Sequence, residues 1–160
     1  MLKVLEKIYA LSWQEKRIYI EFFLLAGVVR LAILLLPFSW QAMFLGKHMR
    51  ESSIDECTEK MAFAKQVGRI IETASRYTPW ESKCLVQAVV GKMMLRQQGI
   101  ANTLYLGVAR NEGDNLIAHA WLRCGNTIIT GRQGKDKFTV VGKFADYSCS
   151  NRIIKGGDTI

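Results

Sequence analysis

The stretch from Thr78 to Gly99 constrains the fold most, because the sequence there predicts a helix with both ends marked. Thr78 is a suitable N-cap, and Pro79 suits the first helical position because it has no N–H to leave unbonded. Glu81 completes a Thr-x-x-Glu capping box, and Ser82 is an alternative N-cap if the first turn is separate from the main helix. Gly99 supplies the left-handed residue at which helices commonly end. We therefore expect one helix across this stretch.

Cys84 lies within about two turns of the predicted helix start, where the helix dipole stabilises negative charge on a sulfur atom. The helical period places Cys84, Ala88, Gly91 and Leu95 on one face. Two of these four side chains are small, so another element can approach closely beside the cysteine. The pattern predicts a closely packed helix with a candidate nucleophile near its start.

From residue 103 onward the apolar residues alternate with a period of two, which indicates β-strands. Turn-forming residues separate four predicted strands, at 103–109, 116–124, 127–130 and 138–144. Helices followed by an antiparallel sheet predict an α+β fold with the cysteine helix packed on the sheet. The second strand contains His119. A cysteine that opens a helix, followed by a histidine on a strand, is the order found in papain-like thiol enzymes.

The composition is that of a globular protein with excess positive charge. The chain has 160 residues, of which 49% are hydrophobic and 22% charged, enough for a proper core. Its formal net charge of +8 suits an acidic peptide, a nucleic acid or an anionic membrane surface, and equally a solvated basic surface. No aromatic-plus-basic motif accompanies the charge, so we expect no nucleic-acid partner.

The cysteines and histidines are spaced unlike the ligands of a zinc site. They are Cys57, Cys84, Cys124 and Cys149, with no C-x-x-C pair, and two distant histidines, His48 and His119. We expect neither a metal nor a cofactor, no disulfides, and a reducing cytoplasm. Cys57, Cys124 and Cys149 are interpreted as small packing residues.

Residues 18–36 form an apolar segment that stops at Pro37. The segment is too long and starts too late for a signal peptide. Glu21 and Arg30 interrupt it, so no uncharged run of the length that a membrane span requires remains. Residues 1–50 carry seven Lys or Arg against three Asp or Glu, which keeps contact with a membrane surface open. We favour a helix that is buried or covered by a partner.

The likeliest division of the chain lies at the polar, acidic segment 51–59. Residues 1–50 are predicted to be an apolar helical region that contacts a partner or a membrane surface. Residues 51–160 are predicted to form the domain that carries the cysteine and the histidine. Within it, residues 61–77 have an apolar helical stripe, and we expect this helix to form an antiparallel pair with the cysteine helix.

Several separated motifs occur in a fixed order along the chain. They are Glu21-Phe-Phe-Leu-Leu, Arg30-Leu and Leu36-Pro37-Phe38, then Pro79-Trp80-x3-Cys84-Leu85-x-Gln87-Ala88, Gly99-Ile100, Leu104-x-x-Gly107-Val108 and Ala118-His119-Ala120-Trp121. Together they resemble the transglutaminase-like leader peptidases of lasso-peptide biosynthesis, over roughly residues 15–131. The resemblance implies a transglutaminase-like (papain-like) core and a cysteine peptidase that removes the leader from a ribosomally made precursor peptide.

The resemblance also implies two partners and a location. The partners are a small leader-recognition protein and an ATP-using macrolactam synthetase. The expected location is the cytoplasm, with peripheral contact at the inner face of the membrane left open.

Thiol attack on a peptide bond needs a nucleophile, a histidine that shares and later donates the proton, and a group that orients the histidine ring. Cys84 and His119 fill the first two roles. The strand that returns beside His119 has no carboxylate, so this sequence departs from the Cys-His-Asp pattern. Asp136 ranks first for the third role, and Asp146 is the next acid downstream. The hydroxyl of Thr130 or a backbone carbonyl is the alternative.

Two further residues are candidates for substrate binding. Trp121 shares a strand face with His119, and it either walls the site or is a core aromatic residue. Gln87 lies one turn after Cys84, and it either donates to an oxyanion or lies at the surface. The backbone N–H of Cys84 is the better oxyanion donor.

Two other functions remain open beside the leader peptidase. One is an acyltransferase of transglutaminase type, which uses the same thiol but resolves the thioester with another nucleophile. The other is a non-catalytic, membrane-associated binding module, in which the missing acid marks a decayed site.

Overall fold

Four α-helices and five β-strands build the part of the chain that the structure, a computed structural model, describes, which is residues 12–54, 58–78 and 83–147, without the side chain of Phe38. The helices are α1 (Trp13–Leu35), α2 (Phe38–Phe44), α3 (Thr58–Ala74) and α4 (Cys84–Gln97). The strands are β1 (Lys47–His48), β2 (Asn102–Arg110), β3 (Leu116–Cys124), β4 (Thr127–Thr130) and β5 (Thr139–Asp146).

The strands form one sheet in the order β1-β5-β2-β3-β4, and every pair is antiparallel. The predicted α+β fold is therefore confirmed, and each of the four predicted strands is present with ends shifted by no more than a few residues. The short strand β1 was not predicted. It has two residues, too few for a periodic pattern, and it forms because Lys47 and His48 meet Ala145 and Phe144 of β5.

The cysteine helix begins at Cys84, with Lys83 as its N-cap. The prediction that Thr78 caps this helix is wrong. Thr78 instead follows a 3₁₀ turn, and its hydroxyl donates to the carbonyl of Ser75 at 3.0 Å, a local bond that competes with capping. The predicted roles of Pro79, Glu81 and Ser82 fall outside the described residues. Cys84 is thus closer to the positive end of the helix dipole than the sequence predicted.

The predicted stop at Gly99 is confirmed, since its φ of +63° lies in the left-handed region. The amide of Ile100 donates to the carbonyl of Leu95 at 2.9 Å, and the amide of Gly99 donates to that of Arg96 at 3.0 Å. These two bonds form a Schellman motif, which satisfies carbonyls that the end of a helix otherwise leaves unbonded.

The core lies between the helices and one face of the sheet. Gly91 of α4 faces Leu122 of β3, and a Cβ atom at Gly91 would lie 3.0 Å from the Leu122 side chain. Gly68 of α3 approaches β4 more closely still, because a Cβ there would lie 2.6 Å from the carbonyl oxygen of Ile129. The two glycines therefore allow α3 and α4 to pack tightly on the sheet beside the cysteine.

Helix α1 packs on α3 and α4 through one face only. Its buried side chains are Ile18, Phe22, Ala26 and Val29. Its other face is apolar as well and exposed to solvent, through Ile20, Leu24, Val28, Leu31, Leu34 and Leu35. The predicted buried helix is thus buried on one side.

The length and composition of α1 also meet those of a membrane-spanning helix, although core helices of soluble proteins meet them too. The exclusion of a span on the strength of Glu21 and Arg30 was therefore too strict, because an 18-residue window of this helix with no more than two charged residues is still apolar enough to cross a membrane. Length and composition alone are weak grounds for membrane contact.

A buried ion-pair network fixes the second half of α4 to the sheet. The ammonium group of Lys92 is 1% exposed and contacts Asp146 at 2.9 Å and Asn102 at 3.0 Å. Arg96 forms two hydrogen bonds with the same aspartate, at 2.8 and 2.9 Å. Burial lowers the pKa of Lys92 from 10.5 to about 8, although Asp146 acts in the opposite direction. Asp146, which the sequence offered as an acid to orient His119, therefore pairs with Lys92 and Arg96 instead.

Candidate active site

Cys84 is half-buried at the first position of α4. The side chain of the N-cap residue, Lys83, forms no cap hydrogen bond. Because the first N–H groups of a helix have no intrahelical acceptor, they can bind an anion there, either the sulfur itself or an oxyanion formed next to it. The helix start therefore suits a thiol nucleophile.

His119 lies on β3 just past the end of β4, since β4 pairs with β3 only as far as Leu122. Its Nε2 atom is 2.9 Å from the carbonyl oxygen of Gly131. A carbonyl can only accept a hydrogen bond, so Nε2 carries the proton and, in the neutral ring, Nδ1 is the acceptor. The contact thus defines which nitrogen can take a proton from a thiol.

The backbone conformation of Gly131 directs its carbonyl oxygen toward His119. Its φ of +72° is in the left-handed region, and the chain leaves β4 at this point. A Cβ atom at position 131 would overlap the carbonyl oxygen of Ala120 and would lie 2.9 Å from Cβ of Trp121. Glycine is required here because any side chain would push the carbonyl away from His119.

Aromatic rings hold the His119 ring from behind. Its centroid is 5.9 Å from that of Trp121 and 5.0 Å from that of Phe138. Trp121 stacks in turn on Tyr105 at 5.5 Å, with the rings nearly parallel. Gly107, opposite His119 on β2, leaves room for these rings, because a Cβ there would lie 2.9 Å from both Trp121 and Phe138.

A polar network anchors the far end of this stack. Arg123 donates to the hydroxyl of Tyr105 at 2.9 Å and to the carbonyl of Ser52 at 3.0 Å. Glu51 pairs with both Lys143, at 2.6 Å, and Arg123, at 3.5 Å. The hydrogen bond from Lys143 is the largest effect that lowers the pKa of Glu51. The stack is therefore fixed at one end and touches the imidazole at the other.

A cavity of about 980 Å³ brings the candidate residues together. Cys84, Gln87 and His119 all line it, between α3 on one side and β4 with the following turn on the other. No hydrogen bond joins the Cys84 sulfur to the His119 ring among the described contacts. Such bonds are often long before substrate binds, so the shared cavity is the relevant observation.

Trp121 and Asp136 do not line this cavity. Trp121 is 6% exposed and packs behind His119, which is the core alternative rather than the predicted role in substrate binding. The Asp136 side chain is 87% exposed in a short turn, where it pairs with Lys135. In this structure the ring partner of His119 is the Gly131 carbonyl, which was the backbone alternative, and not the first-ranked Asp136.

The remaining cysteines lie elsewhere. Cys124 is fully buried in the core, as expected for a packing residue. Cys57 and Cys149 fall outside the described residues. Within residues 12–54, 58–78 and 83–147, no group of three His, Cys, Asp or Glu side chains could hold a metal ion.

Two further observations concern the cavity, and only the second was missed from the sequence. Thr130, whose hydroxyl was an alternative partner for His119, is 6% exposed, and that hydroxyl has no hydrogen-bond partner among the described residues. The cavity wall is also strongly basic, with Lys65, Arg69, Arg76 and Arg132 against Glu72 as the single acid among the described lining residues. The helical spacing of Lys65, Arg69 and Arg76 could have revealed a charged face along α3 and the 3₁₀ turn after it, but not that this face lines the cavity.

A thiol at a helix start and an imidazole on a neighbouring antiparallel sheet, both lining one cavity, define a class of α+β protein suited to cysteine-dependent chemistry. A family model described as the transglutaminase-like superfamily matches residues 31–143. The chain therefore belongs to the transglutaminase-like superfamily, which includes cysteine peptidases and acyltransferases. No curated protein and no solved structure matches the chain.

Proposed function

We propose that this chain is a cysteine peptidase that removes the leader from a ribosomally made lasso-peptide precursor. The observation that supports peptidase chemistry best is the shared cavity, in which Cys84 stands at a helix start and His119 is held through Nε2 with Nδ1 as its acceptor. The motifs that resemble lasso leader peptidases support the particular substrate.

In the first step, Nδ1 of His119 accepts the thiol proton and the Cys84 sulfur attacks the scissile carbonyl carbon. The carbonyl oxygen gains negative charge, which the N–H groups at the start of α4 stabilise. Gln87, which lies one turn along the same helix and lines the same cavity, would be an additional donor. His119 then protonates the leaving amine as the carbon–nitrogen bond breaks, and the acyl group remains on sulfur as a thioester.

In the second step, His119 removes a proton from water, which attacks the thioester carbon. The carbon–sulfur bond breaks, the leader leaves with its new carboxyl end, and His119 returns the proton to the Cys84 sulfur. The Gly131 carbonyl orients the ring but carries no full negative charge. It therefore stabilises the imidazolium less than an aspartate would. We expect a slower enzyme than one with a Cys-His-Asp set, and a strong dependence on substrate positioning.

Substrate positioning is where the proposed partners act. A leader-recognition protein that binds the leader as an added strand would raise the concentration of the precursor at Cys84. A macrolactam synthetase would then use the freed amine of the core peptide. The isolated chain should cleave slowly, and the recognition protein should raise the rate about 10- to 1,000-fold, mainly through a lower apparent KM.

The test is turnover of a lasso precursor, followed by mass spectrometry, with and without the recognition protein. Release of leader and core with one added water supports hydrolysis, whereas a new amide on the leader would identify an acyltransferase. A thiol-selective alkylating probe supplies the control, because a non-catalytic binding module would have no fast-reacting Cys84. Equal rates with and without the partner would mean that this chain recognises the leader itself.

We also propose a cytoplasmic location with peripheral membrane contact. The exposed apolar face of α1 supports membrane contact, since apolar patches of this kind seldom remain open to water. Fractionation of cells that express the full chain is the test. Recovery of the whole protein in the high-speed supernatant at low and high salt would contradict the membrane contact.

A further inference from the structure

One wall of the cavity is a charged face formed by α3 and the 3₁₀ turn that follows it. Lys65, Arg69, Glu72 and Arg76 follow one another at helical spacing, all four line the cavity, and Arg132 lies on the opposite wall. Arg76 and Glu72 pair with each other at 3.7 Å. The net positive charge of the cavity therefore comes from Lys65 and Arg69 on this wall and from Arg132 on the opposite wall.

Those three basic side chains have no carboxylate partner among the described residues. Lys65 and Arg69 are exposed, and Arg132 donates only to the backbone carbonyl of Ile128, at 3.2 Å. By contrast, Arg123 and Lys143 on the sheet both pair with Glu51. Several positive charges that line one concave site attract anions and repel cations. The electrostatics of the cavity therefore favour an acidic ligand.

We propose that this wall binds acidic side chains of the peptide segment that lies along α3 while its scissile bond is at Cys84. The proposal rests on the proposed peptidase function and adds the substrate class.

The geometry of the wall defines the spacing of the acids. Lys65 and Arg69 are four residues apart, which is about 6 Å along a helix. Alternate side chains of an extended peptide point the same way and are about 6.6 Å apart. The wall therefore matches an extended segment with acidic residues two positions apart, written Asp/Glu-x-Asp/Glu.

A peptide fits this wall better than a nucleic acid does. No Phe, Tyr or Trp side chain is among the described residues that line the cavity, so bases would have no aromatic surface for stacking. The nucleophile on the same cavity also has no role in binding a nucleic acid. Binding of a single-stranded oligonucleotide more tightly than the acidic peptide would overturn the proposal.

The experiment uses the full chain and a quenched fluorescent peptide library with variable residues on both sides of the cleaved bond. Matched peptides carry Asp-x-Asp or Asn-x-Asn on one side of that bond. We expect kcat/KM to be about two- to thirtyfold higher for the acidic member of a pair, as two exposed charge contacts would give. The preference should shrink as salt is raised.

The variant Lys65→Glu/Arg69→Glu should lose the preference and favour Lys-x-Lys peptides. Its matched control is Arg50→Glu/Lys137→Glu, which changes the net charge equally at exposed residues away from the cavity. The control should keep the preference of the unaltered chain. Equal loss in both variants would mean that overall charge, and not this wall, selects the peptide.

A binding measurement separates this proposal from the peptidase function. Fluorescence anisotropy with Cys84→Ala and labelled Asp-x-Asp or Asn-x-Asn peptides reports on the wall without any chemistry. Charge-dependent binding without cleavage by the unaltered chain would support the wall and overturn the peptidase. Cleavage without any preference for acidic peptides would support the peptidase and overturn the wall.

Discussion

The two ends of α4 differ in whether the basic side chains near them are paired with a carboxylate. In its second half, Lys92 and Arg96 share Asp146, and the lysine is almost completely buried. At its start, Cys84 stands on a cavity whose basic residues Lys65 and Arg69 have no carboxylate among the described residues. A satisfied polar network contributes to stability and specificity of the fold, whereas unsatisfied groups at a cavity are available to a ligand.

The distance between the two ends makes the comparison testable. Cys84 and Lys92 are eight residues apart, which is about 12 Å along the helix. Effects of substitutions at that separation, without shared partners, usually add. We therefore expect changes at the start of α4 to alter chemistry with little loss of stability, and changes in the ion-pair network to do the reverse.

The largest expected effect is the loss of the thiol. Cys84→Ala should reduce cleavage at least about 1,000-fold, because Cys84 is the only thiol among the described residues that line the cavity. The free energy of unfolding should change little, since the residue is half-buried and loses a single sulfur atom. Precursor turnover and urea unfolding measure the two quantities.

Cys124→Ala is the matched control for the thiol. It should cost about 1 kcal/mol of stability because Cys124 is fully buried, while activity per folded molecule stays. Cys57→Ser and Cys149→Ser should keep most activity. Cleavage by Cys84→Ala would refute the thiol mechanism.

The next effect is on stability. Asp146→Asn should lower the free energy of unfolding by about 3 kcal/mol, because it leaves the buried charge of Lys92 without its anion. Asp114→Asn is the control, since the pair of Asp114 with Arg110 is exposed and should contribute at most about 0.5 kcal/mol. Urea denaturation compares them. A larger effect on kcat than on stability would show that the two ends of α4 are coupled.

Gly131→Ala should lower kcat about 10- to 100-fold, because the added Cβ overlaps the Ala120 carbonyl and displaces the oxygen that holds His119. Gly134→Ala is a suitable control. Gly134 has a similar left-handed φ of +73°, but a Cβ there meets nothing within 4 Å. If both variants retain the same activity, the carbonyl has no role in orienting the ring.

The pH dependence of stability tests the buried lysine. The pKa of Lys92 is about 8 in the folded protein and 10.5 as its ordinary value, so the unfolded state binds more protons between these pH values. Relative to Lys92→Met, the stability of the unaltered chain should be nearly flat below about pH 7 and begin to rise as the pH approaches 8. It should then rise toward pH 10.5 by at most about 1.4 kcal/mol per pH unit. A difference that stays flat or falls over this window would contradict the lowered pKa.

The smallest expected effect concerns the acid that the sequence ranked first. Asp136→Asn should change kcat/KM less than about twofold, because the carboxylate is exposed and pairs with Lys135 instead of His119. His119→Ala in the same assay shows how far kcat/KM falls when a catalytic residue is removed. A drop of more than tenfold for Asp136→Asn would restore the aspartate as the third catalytic group.

The sequence was most reliable where the signal is local. The period of two and the turn residues predicted the four long strands, and the left-handed preference of glycine predicted the helix end at Gly99. The local rule failed at Thr78, where a capping residue served a 3₁₀ turn instead of the following helix. A capping pattern identifies a residue that can cap a helix. Whether it caps the helix depends on the other local hydrogen bonds that its side chain can form.

The sequence by itself determined the α+β class, a cysteine on a helix followed by a histidine on a strand, and an apolar N-terminal helix. These depend on periodicity and residue order, which neighbours along the chain specify. Only the tertiary structure decided that the Gly131 carbonyl holds His119, that Asp146 neutralises Lys92, and that basic residues of α3 line the cavity of Cys84. Each of these joins groups from different elements, and their contact depends on how the helices pack on the twisted sheet, which no local pattern encodes.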